Sequence, residues 1–133
     1  MKLISLSWVV QVDFPATGGC IYDPAWDVVA EKLDLVLRTD GSVILDAEDD
    51  ADRSRSLQVQ VERGNFLLTL GVESENEWIV RGFENQNVSA PGEMIALRGG
   101  FWNSTKICND PEIVTSVFRE FFESGDVSNQ YLS

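Results

Sequence analysis

The chain has 133 residues, of which 44% are hydrophobic and 10% aromatic, and its formal net charge is −12 with no histidine. This length and apolar content are typical of one folded domain, and they exclude a disordered chain, which buries too little apolar surface to offset the entropy of ordering. A surface this negative repels nucleic-acid phosphate and anionic lipid, so we expect neither nucleic acid nor membrane as a partner. The missing histidine also removes the commonest general base and metal ligand.

The first third of the chain predicts a strand followed by a helix. Apolar and polar residues alternate from 3 to 12, which is typical of a half-buried strand and not of an export signal, so we expect a cytoplasmic protein. Residues 15–20 contain two consecutive glycines and predict a loop. Asp23 and Pro24 then form a helix start with the aspartate as N-cap, and apolar spacing extends this helix to Thr39.

The middle of the chain predicts a run of strands joined by short turns. A tight turn at Gly64–Asn65 joins two alternating segments and makes them the clearest hairpin in the sequence. Residues 99–104 predict a loop that carries two exposed aromatic side chains. The predicted strands of this region cover residues 42–46, 56–62, 66–72, 78–83 and 93–98.

The C-terminal region predicts a second helix. Asp110 and Pro111 repeat the start signal of the first helix, and Gly125 ends the helix as a C-cap residue. The element order is therefore β-α-β-β-β-β-β-α. This order indicates an α+β fold in a single domain over residues 1–133, with a largely antiparallel sheet of about six strands and two helices packed on it.

No arrangement of residues in the sequence indicates catalysis. Asp46, Glu48 and Asp50 have the spacing of the first three ligands of a calcium loop, but Ala51 and Leu57 replace the glycine and the bidentate glutamate that such a loop requires. The sequence has no nucleophile motif and no phosphate-binding glycine loop. The two cysteines lie in unrelated contexts, which favours free thiols. We therefore expect a protein that is not an enzyme and that binds no metal or cofactor.

Negative charge is concentrated in the middle of the chain. Eleven acidic residues and four arginines lie between Asp40 and Glu84, so this third of the sequence carries a net charge of −7. Concentrated charge favours a basic protein partner, because it accelerates association and rejects acidic competitors. Exposed tryptophans are typical anchors of interfaces. The predicted partner-binding residues are Asp49, Asp50, Asp52, Glu73, Glu75, Glu77, Trp78 and Trp102.

The predicted C-terminal helix resembles a family signature. Residues 117–128 read Val-Phe-Arg-Glu-Phe-Phe-Glu-Ser-Gly-Asp-Val-Ser. This segment is similar to the end of small bacterial immunity proteins, in which an amphipathic helix ends in Phe-[Phe/Leu]-x-[Ser/Thr]-Gly-[Asp/Glu]. The strand that begins at Ser56–Val59 and its hairpin resemble the same families. The resemblance implies a protein that binds the toxin domain of a contact-dependent growth inhibition system, or a related polymorphic toxin system, and blocks its active site.

Charge and resemblance together predict an immunity protein whose acidic surface occupies the basic cleft of a cognate toxin domain, for example a nuclease. The alternative is a small non-catalytic structural or regulatory domain that binds another protein or a ligand on its sheet. A third interpretation is an enzyme that uses two of its carboxylates as a pair.

Overall fold

A computed structural model of the chain describes residues 3–11, 16–48, 53–85 and 92–133. The strands are β1 (Leu3–Val10), β2 (Thr17–Tyr22), β3 (Gly41–Glu48), β4 (Ser54–Glu62), β5 (Asn65–Ser74), β6 (Glu77–Gly82), β7 (Met94–Leu97), β8 (Gly100–Asn103) and β9 (Ile107–Cys108). The helices are α1 (Trp26–Leu37) and α2 (Pro111–Ser124), and a single 3₁₀ turn (Ser104–Lys106) precedes β9. Across these described segments, no helix is both long and apolar enough to cross a membrane.

The main sheet has the strand order β2-β1-β3-β4-β5-β6, and every neighbouring pair is antiparallel. The short strand β9 pairs with the start of β5, on the side where β6 pairs with the end of β5. The strands β7 and β8 form a separate hairpin. The predicted α+β class, with a largely antiparallel sheet and two helices, is confirmed.

Alternating side chains give the sheet two different faces. On the inner face, Leu6, Leu45, Leu57 and Leu70 lie side by side on β1, β3, β4 and β5, and all four are buried. Each such side chain contributes about 1.5–3 kcal/mol through burial. Both helices cover this face with the buried residues Val29, Leu33, Val36, Val114, Val117, Phe118 and Phe121. The other side of the sheet, here called the outer face, carries mostly polar residues.

The two helices begin differently, although their start signals are the same in sequence. At α2 the carboxylate of Asp110 accepts a hydrogen bond from the N–H of Glu112 at 2.9 Å, and Gly125 ends the helix with φ of 81°, as predicted. At α1 the predicted N-cap is wrong, because the N-cap residue is Ala25, whose side chain cannot accept a hydrogen bond. Asp23 has φ of 52°, and its N–H donates to the carbonyl of Ile4 at 2.8 Å, so this residue ends the pairing of β2 with β1.

Three hairpins of the fold use two-residue turns in which both residues have positive φ. These turns are Arg63–Gly64, Glu75–Asn76 and Arg98–Gly99. Paired positive φ values match the right-handed twist of the flanking strands, which is why this turn type is preferred in hairpins. The predicted turn at Gly64–Asn65 is therefore displaced by one residue, since Asn65 already pairs with Glu62 as the first residue of β5.

Two strands occupy segments that the sequence predicts as loops. Residues 15–20 overlap β2, and residues 99–104 contain β8. Nearly every side chain of β2 is exposed, so this edge strand has no alternation of buried and exposed positions that a pattern would show. The glycines of β2 instead let its backbone lie close to the Trp8 ring on β1, because a Cβ atom on Gly19 would be only 2.8 Å from that ring.

We expect the two thiols to differ strongly in reactivity. Cys20 is exposed on β2, whereas Cys108 is buried on β9, where desolvation raises the pKa of its thiol. At pH 8, Ellman's reagent should modify one thiol rapidly and the second only after denaturant is added. Because burial raises the pKa of Cys108 in the folded state, the free energy of unfolding should fall as pH rises from the ordinary pKa of a thiol through this raised pKa.

Substituting Cys20→Ser should remove the rapid phase, and Cys108→Ser should leave it intact. Rapid modification of both thiols in the native protein would contradict the burial of Cys108.

Candidate functional site

The outer face is divided into two ends with different chemistry. At one end the β7–β8 hairpin packs against the sheet, and Leu67, Leu97 and Ile107 form a small buried cluster with the half-buried Ile95. At the other end lies a cavity of about 490 Å³, here called the outer groove. The hairpin therefore fills one end of the outer face, while the other end is concave.

The floor of the outer groove consists of small polar side chains on adjacent strands. Ser5 of β1 pairs with Asp46 of β3, which pairs with Ser56 of β4. Two residues further toward the end of the sheet, on the same face, Glu48 pairs with Ser54, and both also line the groove. The groove is thus a surface of serine hydroxyls with two carboxylates on the central strand β3.

An aromatic residue lies on each side of this floor. Tyr22, on the edge strand β2, is 81% exposed, and Trp78, on the opposite edge strand β6, is 53% exposed. The indole of Trp78 lies against the sheet over Gly71, because a Cβ atom at that position would be only 2.2 Å from its ring. Gly71 is therefore required for the ring to lie flat beside the groove.

Three acidic residues, Asp23, Asp46 and Glu48, and one base, Arg55, line the outer groove. The side-chain carboxylates of Asp46 and Glu48 make no hydrogen bond and no ion pair with any residue that the structure describes. Glu73 accepts a hydrogen bond from the backbone N–H of Ser54 at 3.3 Å, which brings the end of β5 next to the start of β4. Glu75 and Glu77, in and after the β5–β6 turn, are exposed at the same end of the sheet.

The structure brings together four of the residues predicted to bind a partner. Glu73, Glu75, Glu77 and Trp78 lie at the groove end of the sheet. Asp49, Asp50 and Asp52 lie outside the described residues, although Glu48 and Ser54, which flank that segment in sequence, line the groove.

Trp102 is separated from this group. It pairs with Ile95 in the β7–β8 hairpin, which packs near Leu67 of β5. Leu67 and Glu73 are six residues apart on β5, which corresponds to about 20 Å along an extended strand. Trp102 is therefore not part of the outer groove.

Trp78 is the predicted residue that lines the groove itself, and the lining residues that the prediction missed include Tyr22, Asp46 and Glu48. Asp46 and Glu48 alternate with the buried Leu45 and Ala47, so extending the alternation of β3 beyond residue 46 places both carboxylates on the outer face. Tyr22 belongs to β2, whose sequence shows no strand pattern, and no local signal identifies it.

The C-terminal residues are held to the inner face by a set of arginine contacts, here called the tail clamp. Arg81 donates to the carboxylate of Asp126 at 3.1 Å and to the carbonyls of Val127 and Leu132 at 2.7 and 2.9 Å. Arg55 reaches the same carboxylate at 3.3 Å. Beside them, Ser133 and Gly82 exchange two backbone hydrogen bonds of 3.1 Å. The tail clamp is structural, since its donors are occupied by the chain itself.

The described residues include no group of three or more histidine, cysteine, aspartate or glutamate side chains arranged to hold a metal ion. The carboxylates of the groove are spread along a sheet face and are not gathered around one point. Such an arrangement suits contact with several separate cationic groups.

The architecture and the groove define an α+β protein with an antiparallel sheet, helices on one face and an acidic concavity on the other. Residues 7–131 match the model of DUF6911, described as a family of unknown function, and the chain belongs to that family. The fold is similar to the crystal structure of a hypothetical protein from Neisseria gonorrhoeae, with a TM-score of 0.76, 13% identity, and coverage of 96% of this chain and 92% of that one. At this identity the likeness shows the fold alone. No curated protein matches the sequence significantly.

Proposed function

We propose that the protein is a non-catalytic binding protein of the cytoplasm, which engages a basic protein domain through the outer groove. The resemblance of the C-terminal helix to that of immunity proteins favours a cognate toxin domain as the partner. Binding would then block the active site of the toxin. The observation that carries the proposal is the pair Asp46 and Glu48, two carboxylates that have no partner within the described residues and lie between two exposed aromatic side chains.

Physical chemistry supports a cationic partner for this surface. A carboxylate without an intramolecular partner keeps its full attraction for lysine or arginine, and several on one face steer a basic protein toward it. Trp78 adds a large apolar surface at the groove's edge, of the kind that anchors interfaces. A nuclease cleft that binds phosphate has the complementary charge, so the groove carboxylates would stand in for the phosphates of its substrate.

A second candidate function is binding of a small cationic ligand by a regulatory domain. The groove volume of about 490 Å³ favours it, because cavities that hold small molecules are typically 300–1,000 Å³. The exposed turn with Glu75 and Glu77 lies beside the groove and extends the negative surface over a larger area. That extension favours a protein over a small molecule.

Binding and rescue with a toxin domain test the proposal directly. An immunity gene lies directly downstream of its toxin gene, so the test uses the domain encoded by the neighbouring upstream gene. We expect a one-to-one complex by calorimetry, restored growth on co-expression, and an affinity that falls with salt mainly through a slower association rate. Absence of both binding and rescue at low salt would contradict the proposal.

A further inference from the structure

The edge strand β6 has an unusual surface. On one side, residues from Glu77 to Gly82 pair with β5. On the other side, Gly82 pairs with Ser133, and within the described ranges no strand lies beside residues 77–81. Three consecutive large side chains of this stretch are exposed: Trp78 by 53%, Ile79 by 46% and Val80 by 60%.

The backbone of β6 directs alternate residues toward this open edge. Gly82 exchanges both of its hydrogen bonds with Ser133, whereas the N–H of Phe83 points the other way and donates to Leu68 of β5. In an antiparallel pair, this direction alternates from residue to residue. Trp78 and Val80 therefore direct their N–H and C=O groups outward, and Ile79 and Arg81 direct theirs toward β5.

We propose that an extended segment of a basic partner adds to β6 as a further strand and hydrogen-bonds to Trp78 and Val80. Natural proteins usually protect an edge with lysine, proline or a bulge, because open backbone groups recruit other strands. Residues 77–80 contain neither lysine nor proline, and three of the four are large and apolar. Addition of a strand at a sheet edge is a recurring mode of peptide recognition.

The carboxylates near β6 favour an added segment that is basic. β6 begins directly after the turn that carries Glu75, and Glu73 lies opposite Trp78 on β5. Glu77 starts the strand itself, so three carboxylates surround the end at which the added strand begins or ends. An incoming strand with lysine or arginine side chains gains from these charges, and its apolar side chains cover either Ile79 or Val80, which lie on opposite faces of the sheet. The identity of the partner as a basic protein rests on the proposed function.

A second copy of this chain is a poorer occupant of the edge. Two copies would each bring a net charge of −12 and an acidic turn to the same contact. The pairing of Ser133 with Gly82 also limits the open edge to about five residues, so little apolar area is available to offset that repulsion.

Amide hydrogen exchange of the full chain tests the pairing residue by residue. The probes are the toxin domain encoded by the neighbouring gene and, separately, a blocked eight-residue peptide that alternates lysine with valine. We expect slower exchange at the amides of Trp78 and Val80 when either probe is bound. The amides of Ile79 and Arg81 should change little, because β5 already accepts from them.

A proline substitution provides the matched mutational test. Val80→Pro removes one outward N–H without removing a hydrogen bond to β5, and proline is tolerated where a strand faces solvent. We expect both probes to bind at least tenfold more weakly to this variant, and at least threefold more weakly to it than to Val80→Thr, which keeps the N–H and loses only part of the apolar contact. The exchange experiment decides the question on the wild-type chain if the proline variant fails to fold.

The outcomes separate the two proposals. If the toxin domain binds with unchanged exchange at Trp78 and Val80, strand addition is wrong and the proposed function stands. If the toxin domain does not bind while the peptide protects these two amides, strand addition stands and the proposed function fails. Protection that appears in the protein alone and grows with its concentration would identify a second copy as the occupant and overturn the proposal.

Discussion

Reversing Glu48, Glu75 and Glu77 to lysine should weaken binding of the basic partner about a hundredfold at low salt. All three side chains are exposed and make no hydrogen bond or ion pair with the described residues, so the substitutions act on the field around the outer groove more than on folding. Each reversal adds two positive charges, and the net charge rises from −12 to −6. Most of the loss should be in the association rate, and it should shrink as salt is added.

The charge-matched control reverses Glu31, Asp34 and Glu123, which are exposed on the two helices that cover the inner face and form surface ion pairs that contribute about 1 kcal/mol or less each. This variant undergoes the same change in net charge, and we expect its affinity to stay within about threefold of wild type because rim charges far from a contact act weakly. Surface plasmon resonance at several salt concentrations measures both variants. If the two triple variants lost the same affinity for the partner, binding would depend on total charge and not on the groove.

Replacing Arg81 with methionine should destabilise the protein by about 3 kcal/mol, because hydrogen bonds to a charged donor contribute ~1.5–3 kcal/mol and several are lost together. The substitution leaves the carbonyls of Val127 and Leu132 without their donor on the inner face. The ion pair with Asp126 adds little, since that carboxylate is 55% exposed and screened by water. Urea unfolding followed by far-UV circular dichroism measures the change.

Arg38→Met is the control for this substitution. Arg38 also pairs with a carboxylate, that of Asp34 at 2.9 Å, but both side chains are 67% exposed on α1. We expect a loss below about 0.5 kcal/mol, as is usual for an exposed pair one helical turn apart. Similar losses for Arg38→Met and Arg81→Met would mean that the tail clamp does not hold the C-terminal residues to the sheet.

Those parts of the fold that depend on burial were predictable from sequence. The strands β4 and β5 alternate because one face of each is buried, and α2 is amphipathic because it covers that face. The Asp110 cap and the Gly125 end are local effects of backbone geometry, so the sequence pattern at each was sufficient to predict where α2 begins and ends. The β7–β8 hairpin and β2 were predicted less well, because pairing between backbones holds them and their side chains bury little in an alternating pattern.

The groove could be predicted only in part, for the same reason. The acidic turn around Glu75 is visible as a cluster in the sequence, and its place beside Glu48 follows from the antiparallel register of the sheet. Tyr22 lies on the far edge, more than fifty residues from Trp78 in the chain, and their common groove depends on the strand order. Strand order is set by long-range packing, which no local pattern contains.

The position of the Trp78 ring on Gly71 gives the protein an intrinsic optical probe. The indole lies half in water at the groove's edge, whereas Trp8 and Trp26 pack against the core and have Lys32 and Arg119 over their rings. The fourth tryptophan, Trp102, lies on the β7–β8 hairpin, outside the groove. A partner that covers the groove removes water from the indole of Trp78, and its fluorescence emission then moves to shorter wavelength. Occupancy of the groove is thus measurable in the unlabelled chain, without a prior assay for what the partner does.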